Sequence, residues 1–149
     1  MSIRRSRLIT VVLGIVLAAC QAQPATPTAA PSTGTGVVIS VPGGTYSNIT
    51  PDQLAELLKS KEFFFVNTHI PYEGEIDPTD AFIAFEENGP QRVGDYPADK
   101  NSRIVLYCRS GRMSTIVAEE LARAGYTDVW NLDGGMIAWE QSGRDLLTR

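Results

Sequence analysis

One cysteine, Cys108, opens the run Cys108-Arg109-Ser110-Gly111-Arg112-Met113-Ser114, where residue type and spacing together could do chemistry. The apolar stretch Ile104-Val105-Leu106-Tyr107 precedes it and an amphipathic segment, Thr115–Ala124, follows. That order predicts a strand, a tight loop over Cys108–Ser114 and then a helix. In such a loop successive backbone N–H groups can turn inward, and the helix start adds partial positive charge at the same place. Arg109 and Arg112 contribute two full charges. These surroundings stabilise a thiolate, which is the nucleophilic form of cysteine, and an anionic substrate would share the cradle. A cysteine after a strand can also be an inert small hydrophobe. Two arginines and a glycine within four residues favour the reactive reading. Arg109, Ser110, Gly111, Arg112, Met113 and Ser114 are then the candidate substrate-binding residues. Ser114 is equally suited to cap the helix, and Arg109 could turn outward into a surface ion pair, so Arg112 is expected nearer the substrate.

The elements that must position this loop can be read in chain order. Val37–Val41 is β-branched and bounded by Pro42-Gly43-Gly44, as a short strand or docking arm would be. Thr50, Pro51 and Gln53 make a helix start with a capping box, and Ile49 and Leu54 stand at the two staple positions. Leu54, Leu57 and Leu58 give that helix its buried stripe. Asn48-Ile49-Thr50, although a glycosylation sequon, reads only as the approach to the helix. Phe63-Phe64-Phe65-Val66 is the continuous apolar run of a strand covered on both faces. Asp77–Asn101 is irregular and rich in proline and glycine, with Ala81–Phe85 as a strand or a set of packed rings; a connection this long suits a pocket wall. Gly125 ends the second helix, Asp128–Leu132 forms the last strand, and Gly134-Gly135 turns into a short helix whose Met136 and Trp139 belong to the core. Helices alternating with short apolar strands call for an α/β fold, a single domain with a mostly parallel sheet and helices on both faces.

From Lys100 to Gly143 the chain resembles the C-terminal half of a rhodanese (sulfurtransferase) domain. The resemblance rests on the strand Ile104–Tyr107, the Cys108–Ser114 loop and the later Asn131-Leu132-Asp133-Gly134-Gly135-Met136-Ile137-Ala138-Trp139. It implies that Cys108 is catalytic and carries a persulfide, that the donor is a small thiosulfate-like anion, that the acceptor is a thiol or cyanide-like nucleophile, and that no cofactor is needed. Sulfurtransferases and a group of phosphatases share this fold. A phosphatase loop closes with an arginine six positions after the cysteine, and here that position is Ser114, which disfavours phosphate chemistry. The chain departs from the family where rhodanese-like domains carry Asp–x–Arg and then Gly-His-Ile. Asn67, His69 and Gly74-Glu75-Ile76 stand there instead, making Asn67 and His69 possible rim residues. His69, the only histidine, suits a proton shuttle or hydrogen-bond donor near Cys108, or a structural group holding the loop, which is the reading favoured. Glu73, Glu75, Asp77 and Asp80 read as a solvated acidic loop rather than a metal site.

The N-terminus reads as a leader. Arg4, Arg5 and Arg7 precede the apolar run Leu8–Leu17, which is too short to span a bilayer comfortably. Leu17-Ala18-Ala19-Cys20 resembles the lipobox of bacterial lipoproteins, implying cleavage after Ala19 and lipidation of Cys20; an ordinary secretory signal and an uncleaved anchor are the competing readings. On the lipoprotein reading, residues 1–19 are signal peptide, 20–36 a lipid-anchored flexible linker of Pro, Thr, Ala, Ser and Gly, and 37–149 the folded domain on the extracytoplasmic face of the membrane. Cys108 would be the only remaining thiol, so no disulfide framework is expected. Without Arg4, Arg5 and Arg7 the thirteen basic residues fall to ten against seventeen acidic ones. That balance disfavours nucleic acid as a partner.

Overall fold

The computed structural model describes residues 36–148, so the segment expected to be a signal peptide, Cys20 and nearly all of the segment expected to be a linker, 20–36, lie outside the described residues. Six strands form one sheet: β1 Val37–Val41, β2 Gly44–Ile49, β3 Phe64–Asn67, β4 Ala81–Phe82, β5 Ile104–Tyr107 and β6 Val129–Leu132. Their spatial order is β1-β2-β6-β5-β3-β4, with β1 antiparallel to β2 and every other pairing parallel. The α/β expectation therefore holds, and β5, which delivers Cys108, lies between β6 and β3. Three helices pack on the sheet: α1 Pro51–Leu58, α2 Arg112–Arg123 and α3 Gly135–Gln141.

Alternation along the strands assigns the faces. Ile104 and Leu106 of β5 pack with Val117, Ala118 and Leu121 of α2, while Val105 and Tyr107 pack with Leu54 of α1 and Met136 and Trp139 of α3. Each such fully buried aliphatic side chain stabilises the fold by about 1.5–3 kcal/mol relative to exposure. Because both faces of β5 are covered, its backbone is held rigidly under the loop that follows.

Local signals explain most boundaries. Thr50 caps α1 through its side chain, which accepts the Gln53 N–H at 3.2 Å, and Gln53 Oε1 accepts the Thr50 N–H at 2.8 Å. Gly125, at φ +89°, follows the end of α2, where its N–H and that of Tyr126 bond back to Ala122 and Leu121. β2 was not foreseen as a strand: Gly44-Thr45-Tyr46-Ser47-Asn48-Ile49 has little apolar alternation, and it is built by pairing with β1 on one side and β6 on the other. The aromatic run shifts by one residue, because β3 ends on the fully buried Asn67. Of the Ala81–Phe85 stretch only Ala81–Phe82 is strand, while Ile83 and Phe85 pack into the core beside α2.

Candidate active site

The cysteine loop is shorter than its sequence suggests. Helix α2 begins at Arg112 rather than Thr115, so Arg112, Met113 and Ser114 form its first turn and Arg109–Gly111 alone bridge from strand to helix. Ser114 is not the N-cap. Gly111 occupies that position at φ +87°, a left-handed backbone that glycine adopts without penalty.

This turn aims donors at sulfur. Cys108 is buried, with Sγ accepting the Gly111 N–H at 3.1 Å; the Ser114 hydroxyl lies within reach of Sγ at 3.5 Å and of the Gly111 carbonyl at 3.2 Å. The amide directs its proton at the sulfur, and the single Ser114 proton can go either to Sγ or to the Gly111 carbonyl, so an anionic sulfur would have up to two donors.

Helix α3 braces the loop from beneath. Its Met136 and Ile137 amides donate to the Cys108 and Arg109 carbonyls at 2.9 and 3.0 Å. This explains the paired glycines. A Cβ on Gly135, which sits at φ +58°, would lie 2.2 Å from the Cys108 carbonyl oxygen and 2.8 Å from that of Arg109. Only a residue without a side chain lets the helix approach so closely.

The rim differs from the expectation. Asn67 is fully buried and ties the following loop from inside, its amide donating to the Gly74 carbonyl at 2.9 Å and its oxygen accepting the His69 N–H at 2.9 Å. It is an anchor under the rim, not part of it. His69 is nearly buried; its Nε2 lies 3.3 Å from Glu73 Oε2 without an aligned hydrogen bond. The same carboxylate oxygen receives Arg109 Nη1 at 3.1 Å. Arg109 thus takes the outward ion pair, while Arg112 has no carboxylate partner among the described residues and lies 6.0 Å from the Phe85 ring centre. Ser110 and Arg109 are exposed and Met113 is half-buried against the α2-side core.

Sequence reasoning missed four contributors. Glu73 joins Arg109 to His69. Glu75, placed in a solvated acidic loop, is buried and forms a two-bond antiparallel bridge with Leu147, N–H to carbonyl at 2.9 and 2.8 Å. Tyr107, the residue before Cys108, sends its hydroxyl to Thr79 Oγ1 at 2.6 Å and accepts the Ile76 N–H at 3.0 Å. Burial is the main cause that pushes its phenol up to about 12. Asp80 of the same acidic stretch accepts the Phe65 N–H and Lys61 Nζ at 2.7 and 2.6 Å. No cluster of potential metal ligands occurs among the described residues.

A buried cysteine at the end of a central parallel strand, cradled by an amide and a hydroxyl at a helix start, defines the class: an α/β domain built around a thiol loop. The pattern of the family described as Rhodanese-like domain matches residues 50–142, and the chain belongs to that family. A sulfurtransferase of Allochromatium vinosum is 43% identical over 54 residues, which is 36% of this chain and 49% of that protein. A probable adenylyltransferase/sulfurtransferase MoeZ of Mycobacterium tuberculosis is 29% identical over 97 residues, 62% of this chain and 24% of that protein. The chain spans at most about half the length of either relative. Among solved structures, a rhodanese-like domain protein from Staphylococcus aureus superimposes with a TM-score of 0.55 at 29% identity, covering 68% of this chain and 97% of that one.

Proposed function

We propose that this protein is a lipid-anchored, extracytoplasmic sulfurtransferase that moves sulfane sulfur through a persulfide on Cys108. The observation that carries the reading is the Cys108 Sγ held by the Gly111 N–H and the Ser114 hydroxyl. The Cys108 thiolate attacks the outer sulfur of a thiosulfate-like anion; the donor S–S bond breaks and its electron pair leaves with sulfite. Loop N–H groups and Arg112 stabilise the leaving anion. A thiol or cyanide-like acceptor then takes the outer sulfur, and the electron pair of the second S–S bond returns to Cys108. The sulfurtransferase names of the Allochromatium and Mycobacterium relatives support this class of reaction.

Intact-protein mass spectrometry of the full-length protein after thiosulfate, with and without cyanide, tests the proposal beside steady-state thiocyanate formation. The expected result is one added sulfur on Cys108, removed by cyanide, with repeated turnover; no loading overturns it. The burial of Cys108 favours a second reading, a carrier that holds persulfide for a membrane partner. Loading without turnover selects that one. Lipid anchoring is tested separately: Cys20→Ala is expected to move the protein from the membrane fraction to the soluble one, and unchanged fractionation overturns it.

A further inference from the structure

Strands β3 and β5 are parallel neighbours, and they leave the sheet side by side. The Thr68 N–H and the Thr68 hydroxyl both donate to the Tyr107 carbonyl, at 2.9 and 3.1 Å. The next residue on one chain is His69 and on the other Cys108, so an imidazole emerges beside the nucleophile.

Three side chains that carry or can carry charge meet there on a single oxygen. Glu73 Oε2 receives Arg109 Nη1 at 3.1 Å and lies 3.3 Å from His69 Nε2. That nitrogen is buried and has no aligned hydrogen bond. With a neutral imidazole, Arg109 and Glu73 cancel and the cluster has no net charge. A proton taken from water at Nε2 makes the cluster singly positive, and Glu73 is in place to pair the new charge, as a buried ion requires. The other titratable and charged groups around the cluster come from several segments. Tyr72 and Glu75 share its loop, and Glu140, Arg144 and Asp145 line a groove with Glu73 and Arg109. Arg144 is taken up by Asp52 at 2.8 Å. Arg112 lies by Phe85, whose N–H donates to the Thr68 carbonyl at 3.1 Å. Carboxylates, phenols and guanidinium groups ordinarily hold their charge state between about pH 5 and 8, whereas an imidazole changes its own there. The imidazole therefore sets the change, with the Cys108 thiol as the remaining variable.

We infer that His69 and Glu73 are positioning residues for sulfur loading, which set the charge beside Cys108 by proton uptake. The inference rests on the persulfide reading of Cys108. Above the imidazole range Glu73 neutralises Arg109 and withholds its charge from an anionic donor. Below that range His69 takes over the carboxylate's charge, and one positive charge faces the donor as it approaches the loop. Each thiolate then captures a small anion faster as pH falls, although fewer thiols are ionised.

The test compares alkylation of Cys108 by iodoacetate, an anion, and by iodoacetamide, which is neutral. Both react with the full-length protein between pH 5.5 and 8 and are read on the Cys108 peptide by mass spectrometry. Both need the thiolate, so the ratio of their rates is free of its ionisation and reports the charge beside sulfur. The native ratio is expected to rise about three-fold from pH 8 to pH 5.5, the order of one charge several ångströms away in a water-like dielectric. In His69→Gln it is expected to stay flat. Glu73, with a side chain 40% exposed, tolerates replacement; in Glu73→Gln the ratio is expected to be raised already at pH 8. A native ratio that does not change with pH overturns the inference without recourse to any variant. So does an acid rise that survives in His69→Gln, or a Glu73→Gln ratio equal to the native one at pH 8. Thiosulfate loading, divided by the iodoacetamide rate at the same pH, is expected to rise more steeply, because this donor carries two charges. Failure to load while the alkylation ratio still responds to pH overturns the persulfide reading and leaves the charge cluster standing.

Discussion

At the scale of single residues, the site separates two arginines that look alike in sequence. Arg109 is spent on Glu73, whereas Arg112 stands in the first turn of α2 with no carboxylate partner among the described residues and the Phe85 ring nearby. Arg112→Ala is therefore expected to slow sulfur loading by thiosulfate about ten-fold or more, the loss of one charged hydrogen bond, and more than Arg109→Ala does. Loading rate against thiosulfate concentration checks this; a larger effect from Arg109→Ala would reverse the assignment. Cys108→Ser is expected to leave the melting transition in place and abolish loading, since the hydroxyl keeps the size of the side chain but not its nucleophilicity. The thiol and its charged neighbours were legible because they are contiguous. Glu73 was not, because its partners come from different loops and only the fold brings Arg109, 36 positions later, to the same carboxylate oxygen as His69.

At the scale of elements, the short helix α3 does more than its length suggests. Gly135→Ala puts a methyl group 2.2 Å from the Cys108 carbonyl oxygen. The expected result is destabilisation of about 3 kcal/mol or more, from overpacking added to a left-handed backbone, together with loss of sulfur loading. Thermal melting and the loading assay measure the two effects, and a native melting temperature would contradict the close approach. Strand β5 supplies a second test through Tyr107. Its phenol, pushed up to about 12 in the folded protein, ionises near 10 in an unfolded chain. Between those values the unfolded state has lost a proton that the folded state retains. Its contribution to stability is thus fully present below pH 10 and is lost as pH rises toward 12. Tyr46 and Tyr96 shift in the same direction, so Tyr107→Phe is expected to lessen the alkaline loss of stability, not remove it. Denaturant midpoints at pH 9 and 11 decide; an unchanged slope would mean that Tyr107 is already ionised or exposed there.

At the scale of the whole domain, residues far apart in the chain close the same end of the molecule. The bridge between Glu75 and Leu147 lays the last described residues against the loop that follows β3, beside the groove next to Arg109. Leu147→Pro removes the N–H that Glu75 accepts, and is expected to cost about 1 kcal/mol and to speed amide exchange at Glu75. Unchanged exchange would show that the loop is held without the bridge. The sequence by itself determined the α/β alternation, the capping of α1, the thiol loop and the absence of an arginine six positions after Cys108. These rest on local periodicity, on caps and on residues that are neighbours in the chain. The tertiary structure alone decided that β2 is a strand, that Asn67 is a buried tie, that Gly135 makes room for a carbonyl, and that Glu73 and Leu147 shape the rim. Each of those depends on a partner from another part of the chain, and pairing across such distances leaves no periodic mark on the sequence.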